Sequence, residues 1–493
     1  MKCLSVLATL VLASSLTHAA PPASTDKGAK KTANKEVAKN ASITIKGEVI
    51  NYTATAAELT LTKDDGTARA NIFYVSYVKN NVKDVSKRPV LFAFNGGPGS
   101  SAVWLHLGAL GPKIVPTSKD GTKPLAPPLT VIDNPQSILH VADLVFIDPV
   151  TTGFSRTQKG AKPSEFHNVD GDIESVGDFI RRWVTENRRW SSPKFLLGES
   201  YGGVRAAGLS SHLQSRYGMQ LNGVILLSSL LDFRTLSPSS GNDLAYITYL
   251  PALTATAHHH GKIKGDRDKL VAEAKAFSNS TYMAALHKGY KISDAEKTKV
   301  AKELSRFTSL PEELIKKLHL RVSSSRFRAE LLAKEGKVIG RFDARVTGLT
   351  NNTAAGYPAF DPSFTVAKGP FSTAMLAYLT DDLGWKDKRV YEILTGKVHP
   401  WKWNANNQYV NLSSRLESAI RDNPNLRVLV QCGHTDLATP PGGILHSIDH
   451  LRIPKALRKN ISVDWYDAGH MFYLNEKDLK KMQIDLEKFI TAK

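Results

Sequence analysis

The stretch FLLGESYGGVRAAG, residues 195–208, places a glutamate, a serine and a tyrosine between glycines directly after an apolar run. Its residues 198–202 fit the pattern G-x-S-x-G. Between a strand and a helix, this pattern is typical of a nucleophile elbow, because small flanking residues let the two elements approach closely while the turn presents Ser200. A small-residue turn that serves packing alone is the alternative, and the surrounding sequence has to decide between the two.

Apolar segments that end in loops surround this stretch. RPVLFAFNGGPGSS, ADLVFIDPVTTGFS, KFLLGESYGG and NGVILLSSLLD each predict a buried strand, and residues 171–190 have helical spacing. Buried strands that alternate with helices indicate a largely parallel sheet. Together with the elbow, they predict an α/β-hydrolase fold: a mostly parallel central sheet flanked by helices, with a helical insertion that forms a cap.

The sequence divides into five predicted regions. Charged amphipathic segments without an intervening buried strand mark the insertion, and α/β character resumes after it. The predicted regions are a signal peptide at 1–19, a disordered linker at 20–41, the first part of the core at 42–232, the cap at 233–369 and the second part of the core at 370–493.

The first twenty residues, MKCLSVLATLVLASSLTHAA, predict a secretory signal peptide cleaved near Ala19 or Ala20. The apolar run is too short to span a bilayer, and no later segment reaches that length. Removal of Cys3 would leave Cys432 without a partner, which favours a periplasmic or otherwise secreted bacterial protein. Six N-x-[ST] sequons instead suit a glycosylated eukaryotic protein.

The net charge of +19 does not predict a nucleic-acid partner. Basic residues are scattered and are densest in TDKGAKKTANKEVAKN after the predicted signal, so we interpret them as solvated surface. His258, His259 and His260 are consecutive and cannot all face one ion easily, so we expect a polar surface turn, with no metal and no cofactor.

A serine nucleophile needs a base, and the base needs an acid that orients it. In α/β-hydrolases the chain order is serine, acid, histidine. Asp436 follows the apolar strand LRVLVQCGHT, and His470 follows ISVDWYDAG, so both lie at strand ends. Asp467 is the alternative acid, and His434 is a less suitable base because it lies only two residues from Asp436.

The segment NGGPG, residues 95–99, follows the predicted strand VLFAF. Glycines in such a loop let backbone N–H groups approach a substrate carbonyl, which predicts an oxyanion hole. The expected donors are the N–H groups of Gly97 and Tyr201. A phosphate-binding loop is excluded because no G-K-[ST] follows.

Five motifs in this order, FNGGPGSSA, FIDPVTTGFS, GESYGG, CGHTDLATP and AGHM, resemble those of the serine carboxypeptidase family. The resemblance extends from about residue 89 to the C-terminus, and the insertion matches only as a helical region. It implies removal of C-terminal residues from a peptide substrate through a Ser200–His470–Asp436 acyl-enzyme route. It also implies that Asn95 and Glu199, with Gly96 in the same loop, bind the substrate.

Three positions depart from the family pattern. Ser100 stands where a cysteine is frequent, Ala109 stands where a second carboxylate-binding glutamate is found, and Ala93 replaces a tryptophan. Half of the acidic carboxylate site is therefore missing, which leaves the pH optimum open. Arg156 and Arg205 are candidate replacements as positive partners of the substrate, and the alternative is that both are structural or surface arginines.

Three function classes follow from these residues. We expect a secreted serine-type carboxypeptidase. An esterase or acyltransferase that uses the same triad is the alternative, and a non-catalytic envelope-binding protein of the same fold is the third. The sequence predicts no membrane span and no oligomeric state.

Overall fold

The computed structural model describes residues 35–492. The predicted signal peptide and most of the predicted linker lie outside this range. The strands are β1 (Glu36–Ile45), β2 (Glu48–Thr62), β3 (Ala68–Lys79), β4 (Val90–Phe94), β5 (Lys113–Ile114), β6 (Ile132–Asp133), β7 (Asp143–Ile147), β8 (Arg156–Thr157), β9 (Lys194–Glu199), β10 (Gly223–Leu227), β11 (Lys337–Ile339), β12 (Thr347–Leu349), β13 (Arg427–Gly433) and β14 (Ile461–Tyr466).

Helices connect these strands. The α-helices are α1 (Val103–Leu105), α2 (Val169–Glu186), α3 (Tyr201–Tyr217), α4 (Leu244–His259), α5 (Arg267–Phe277), α6 (Met283–Lys288), α7 (Asp294–Thr308), α8 (Glu312–Lys317), α9 (Ser324–Glu330), α10 (Pro362–Ala377), α11 (Ser413–Asp422), α12 (Pro441–Asp449) and α13 (Glu476–Thr491).

A ten-stranded sheet has the order β1-β2-β3-β7-β4-β9-β10-β13-β14, with β8 beside β3. Pairing is parallel from β7 through β14 and antiparallel among β1, β2, β3, β7 and β8. Parallel strands direct their carboxyl ends, and the loops that follow them, to one edge of the sheet. The predicted mostly parallel sheet of an α/β-hydrolase is confirmed.

Both faces of the sheet are covered, as the apolar strand sequences predict. Val90, Phe92 and Phe94 of β4 pack into one core with α2, α3, α11 and α12. Leu91 and Ala93 point to the opposite core, which includes residues of α1, α10 and α13. Side chains alternate between the faces with a period of two, so a strand covered on both sides has to be apolar throughout.

The predicted cap contains α4 to α9, and most residues of a third apolar core lie within it, together with Leu437 from the loop after β13. It also contains a short antiparallel hairpin, β11–β12, that the helical pattern of the sequence did not predict. The helix α10 runs across the predicted cap boundary at 369/370, with Pro370 inside it.

The start of the core differs from the prediction. Residues 36–41, predicted as part of a disordered linker, belong to β1, which pairs with β2 along its whole length. This strand lies at the edge of the sheet and is mostly exposed, so its sequence is polar and carries charged residues, as edge strands commonly are. Residues 36–41 lack the alternation of apolar and polar residues from which a strand is predicted, so the sequence does not distinguish them from a linker.

Candidate active site

Ser200 lies at the sharp turn between β9 and α3, as the elbow pattern predicts. Its backbone has φ 63° and ψ −129°, a conformation that is unfavourable for a residue with a side chain. The flanking glycines are required by space: a Cβ on Gly198 would lie 2.0 Å from the Gly202 carbonyl oxygen, and one on Gly203 would lie 2.3 Å from Ser229 Oγ. The glycines therefore serve close packing in this turn, and the same turn presents Ser200.

Asp436 and His470 meet where the loops after β13 and β14 converge. His470 Nδ1 lies 2.9 Å from Asp436 Oδ2, and both side chains are buried. The other carboxylate oxygen accepts hydrogen bonds from the backbone N–H groups of Ala438 (2.7 Å) and Thr439 (2.9 Å). The carboxylate is thereby fixed, and it fixes the imidazole in turn.

The Thr439 hydroxyl forms a further contact with this pair. It lies 2.9 Å from both His470 Nδ1 and Asp436 Oδ2, and 2.6 Å from the Ser228 carbonyl oxygen. A hydroxyl has one proton, and its shortest contact is to the carbonyl. We therefore assign the Thr439 hydroxyl proton to the hydrogen bond with the Ser228 carbonyl oxygen. The Thr439 hydroxyl oxygen and Asp436 Oδ2 can then both accept from His470 Nδ1–H.

The cap also holds the histidine loop in place. The backbone N–H of His470 donates to the Phe342 carbonyl oxygen at 2.6 Å, and the two rings lie 5.2 Å apart. A Cβ on Gly469 would approach the same carbonyl oxygen to 2.4 Å. Phe342 belongs to the connection between β11 and β12, and no pattern in the sequence around it predicts this contact.

The surroundings of His470 favour its protonated form. Burial opposes the charged imidazolium, but the charge and hydrogen bond of Asp436, together with the charge of Glu199, outweigh burial and raise the pKa of His470. A raised pKa makes the imidazole a stronger proton acceptor than free histidine.

Ser200 and His470 line the same cavity of about 420 Å³. Among residues 35–492, no hydrogen bond joins the Ser200 hydroxyl to the imidazole, so the proton-transfer contact between them remains a prediction. Catalytic hydrogen bonds are often long in unliganded enzymes and shorten when substrate binds.

The two predicted oxyanion donors open into the same cavity. Gly97 has φ 101°, and a Cβ on the preceding Gly96 would lie 2.4 Å from the Tyr201 backbone nitrogen, so this loop lies directly against the start of α3. Within the described part of the chain, neither the Gly97 nor the Tyr201 N–H donates a hydrogen bond. Both groups are therefore available to a substrate oxygen.

Glu199 has a buried environment beside the histidine. Its Oε2 accepts hydrogen bonds from Asn95 Nδ2 and the Tyr473 hydroxyl, both at 2.8 Å, and its Oε1 lies 4.0 Å from His470 Nε2. Burial outweighs these partners and raises the pKa of Glu199 to about 7. Below that pH the carboxyl carries a proton that it can donate to an anion. Asn95, Gly96 and Glu199 all line the cavity, as predicted.

Residues 59–479 match the sequence model of the family described as serine carboxypeptidase. The chain belongs to the serine carboxypeptidase family. The resemblance of its motifs is thereby confirmed over most of the chain.

Serine carboxypeptidases are also found among individual relatives. Serine carboxypeptidase-like 20 of Arabidopsis thaliana is 32% identical over 31% of this chain and 29% of that protein. Serine carboxypeptidase 1 of Hordeum vulgare is 30% identical over 30% and 29%, respectively. These alignments span about three tenths of the relatives' length. The crystal structure of Kex1Δp, a prohormone-processing carboxypeptidase from Saccharomyces cerevisiae, has a TM-score of 0.55 at 16% identity, covers 89% of this chain and 91% of its own, and shares the fold.

The family's second carboxylate-binding glutamate has no counterpart in the cavity. Ala109 is buried in a π-helical turn at His106–Leu110 and is not among the residues that line the site. Ser100, at the family's frequent cysteine, lines the cavity and accepts a hydrogen bond from Trp104 Nε1 at 2.9 Å. Cys432 is buried with a free thiol.

The hypothesis that Arg156 and Arg205 face the substrate is wrong. The buried Arg205 donates to Asp172 Oδ2 at 2.9 Å and to the Asn95 carbonyl oxygen at 2.6 Å. Arg156 donates to backbone carbonyl oxygens, among them that of Val390 at 2.6 Å. Neither side chain lines the catalytic cavity, because internal acceptors use both guanidinium groups. Arg205 instead anchors the predicted oxyanion loop.

The other polar candidates lie elsewhere. Asp467 is ion-paired with Arg267 and Lys477, and with His434 it lines a separate cavity of about 720 Å³ that contains none of the predicted catalytic residues. The preference for Asp436 over Asp467 therefore agrees with the geometry.

The three consecutive histidines do not converge. His258 and His260 each contact a backbone carbonyl oxygen through Nε2, at 2.9 and 2.7 Å. No group of three metal-ligating side chains occurs within residues 35–492. No helix of that range has both the length and the apolarity to cross a bilayer.

Proposed function

We propose that this chain is a serine-type carboxypeptidase that removes C-terminal residues from peptides. The observation that carries the proposal is that His470, oriented by the buried Asp436, opens into the same cavity as the elbow Ser200. Membership of the family supports the reaction class. Peptides are the proposed substrate because an exopeptidase site has to bind a terminal carboxylate, and Glu199 can do so in its protonated form.

The reaction follows from the roles of these groups. His470 takes the Ser200 proton as Oγ attacks the last peptide carbonyl, and the N–H groups of Gly97 and Tyr201 stabilise the oxyanion. His470 then gives the proton to the departing amine, which leaves an ester on Ser200. Water, deprotonated by the same imidazole, releases the acyl group, while Asp436 keeps the imidazole oriented and stabilises its charge.

One observation favours an esterase or acyltransferase as the second candidate. Such enzymes need the triad and the oxyanion hole but no terminal-carboxylate site, and Ala109 has removed one acidic group that the family uses there. This candidate predicts turnover of esters with little dependence on a free substrate carboxylate.

We also propose that the protein is exported, either secreted or periplasmic. The proposal rests on the sequence of residues 1–20, with its early lysine, short apolar run and terminal alanines. N-terminal sequencing of protein recovered from a cell-envelope or culture-medium fraction tests it, and the expected mature N-terminus follows Ala19 or Ala20. Recovery of the full-length chain from the cytoplasm alone would contradict it.

Matched substrates separate the two catalytic candidates. An N-blocked dipeptide with a free carboxylate is compared with its C-terminal amide and its ester, with Ser200→Ala as the control for contaminating activity. A carboxypeptidase cleaves the free acid with a kcat/KM well above that of the amide. Turnover of the ester without cleavage of the free acid favours the alternative, and turnover retained in Ser200→Ala contradicts both.

A further inference from the structure

Arg341 lines the cavity that contains Ser200 and His470, and it lies on the connection between β11 and β12. Its backbone is held on both sides: the N–H donates to Asp361 Oδ1 at 3.0 Å, and the carbonyl oxygen accepts from the Leu437 N–H at 3.1 Å. Leu437 directly follows the predicted catalytic acid Asp436. The Cα position of Arg341 is therefore fixed relative to the triad loops.

The guanidinium of Arg341 has no acceptor within hydrogen-bond distance among the described residues. Within the described range it donates no hydrogen bond, and its ion pair with Asp361 is long, with 3.9 Å between Nε and Oδ2. The Oδ1 of Asp361 already caps α10 by accepting from the Ser363 N–H and hydroxyl. The side chain is 47% exposed and its guanidinium lies 4.6 Å from the Phe342 ring centre. By contrast, Arg345 on the same connection donates to Asp343 at 2.7 Å.

The composition of the cavity makes this charge distinctive. Arg341 is the only lysine or arginine among the described residues that line it, and Glu199 is the only acidic residue. Much of the remaining wall is apolar or aromatic, with Trp104, Phe342 and Phe364 among its members. Among the described residues that line the cavity, Arg341 thus supplies the one lysine or arginine charge to an anionic group of the substrate. The positive charge of Arg341 also acts to lower the pKa of His470, so the guanidinium interacts electrostatically with the imidazole.

We propose that the Arg341 guanidinium binds a carboxylate of the substrate in the catalytic cavity. This proposal rests on the proposed function. The contact with Arg341 would compensate for the carboxylate-binding glutamate at whose position this chain has Ala109. A guanidinium presents paired N–H donors that match the two oxygens of a carboxylate and keeps its charge at all physiological pH values. Two sources share this chemistry: the terminal carboxylate of the peptide, and an acidic side chain on the acyl side of the scissile bond.

Binding is measured by calorimetry in the Ser200→Ala background, so that the result does not depend on turnover. The ligands are an N-blocked apolar dipeptide as free acid, its C-terminal amide, and an amide with glutamate on the acyl side. Arg341→Gln is expected to raise Kd for a carboxylate ligand about tenfold or more, as expected for a charge-assisted pair that is partly shielded from water. Arg341→Lys restores part of the affinity.

Lys337→Gln is the matched control. Lys337 lies on β11 of the same hairpin, pairs with Glu335 at 3.6 Å, and does not line the cavity. Its replacement is expected to leave every Kd unchanged. If Arg341→Gln weakens only the free acid, the terminal carboxylate is the source; if it weakens only the glutamate amide, the side chain is.

Two results overturn the inference: unchanged Kd values in Arg341→Gln for both carboxylate ligands, or equal losses for them and the uncharged amide. Failure of the proposed function has a different signature. In that case wild type does not cleave the free-acid peptide, whether or not it cleaves the ester, whereas the calorimetric comparison still reports on Arg341.

Discussion

Glu199→Gln provides a sharp test of carboxylate recognition, because the wild-type group titrates near neutral pH. Burial raises the pKa of Glu199 to about 7. Below this pH the protonated carboxyl donates to the substrate carboxylate; above it, the ionised group repels the same carboxylate. Glutamine has nearly the same shape, keeps an oxygen that can accept from Asn95 and Tyr473, and always carries a donor.

The informative quantity is kcat/KM for a free-acid dipeptide divided by kcat/KM for its amide. Titration of His470 affects both substrates and cancels in this ratio. For wild type we expect a ratio that is constant below pH 7. Above pH 7 the protonated fraction of Glu199 falls by up to tenfold for each pH unit, and a tenfold change corresponds to about 1.4 kcal/mol. The ratio is therefore expected to fall about 100-fold by pH 9. In Glu199→Gln the ratio stays constant over the whole range.

Two results would contradict the assignment of this titration to Glu199. One is a wild-type ratio that stays constant from pH 6 to pH 9, which would mean that Glu199 does not contact the terminal carboxylate or does not titrate there. The other is a Glu199→Gln ratio that falls as steeply as in wild type, which would assign the titration to another group.

Three further substitutions follow from the contacts of the site. Thr439→Val removes the hydroxyl that contacts His470, the proposed catalytic base, and is expected to lower kcat about tenfold, for the loss of about 1.5 kcal/mol; an unchanged kcat in steady-state kinetics would contradict this role. Arg205→Met leaves Asp172 buried without its partner and is expected to lower the free energy of unfolding by about 3–5 kcal/mol in urea denaturation; a loss below about 1 kcal/mol would show that the ion pair is dispensable. Gly198→Ala puts a Cβ 2.0 Å from the Gly202 carbonyl oxygen. It is expected to lower the free energy of unfolding, measured by circular dichroism melting, by about 1–3 kcal/mol and to abolish activity. Wild-type melting and turnover would mean that the turn accommodates the added Cβ without strain.

The elements that carry the proposed catalytic groups were predictable because each has a local sequence signal. The elbow glycines, the apolar strands and the polar residues that follow β13 and β14 are contiguous patterns, and parallel strands bring their carboxyl ends to one edge. Placing Asp436 and His470 therefore needed only strand ends and chain order. The distance of 2.9 Å between His470 Nδ1 and Asp436 Oδ2 agrees with that inference.

What the sequence did not reveal depends on partners far along the chain. Nothing local distinguishes Arg205, which a buried Asp172 neutralises, from Arg341, which has no close internal acceptor. The insertion has generic helical patterning, so the contact between the Phe342 carbonyl and the histidine loop has no sequence signal. Residues 36–41 of β1 fall outside the predicted core because the exposed part of an edge strand can be polar, whereas the buried Ile43 and Ile45 lie in the part that the sequence does assign to the core.

Active-site labelling with a fluorophosphonate measures whether Ser200 is an activated nucleophile, on which every catalytic role proposed above depends. We expect one equivalent of adduct, located on Ser200 by peptide mass mapping, with none in Ser200→Ala and at least about a thousandfold slower labelling in His470→Gln. Wild-type protein that does not react, or Ser200→Ala that reacts at the wild-type rate, would contradict it.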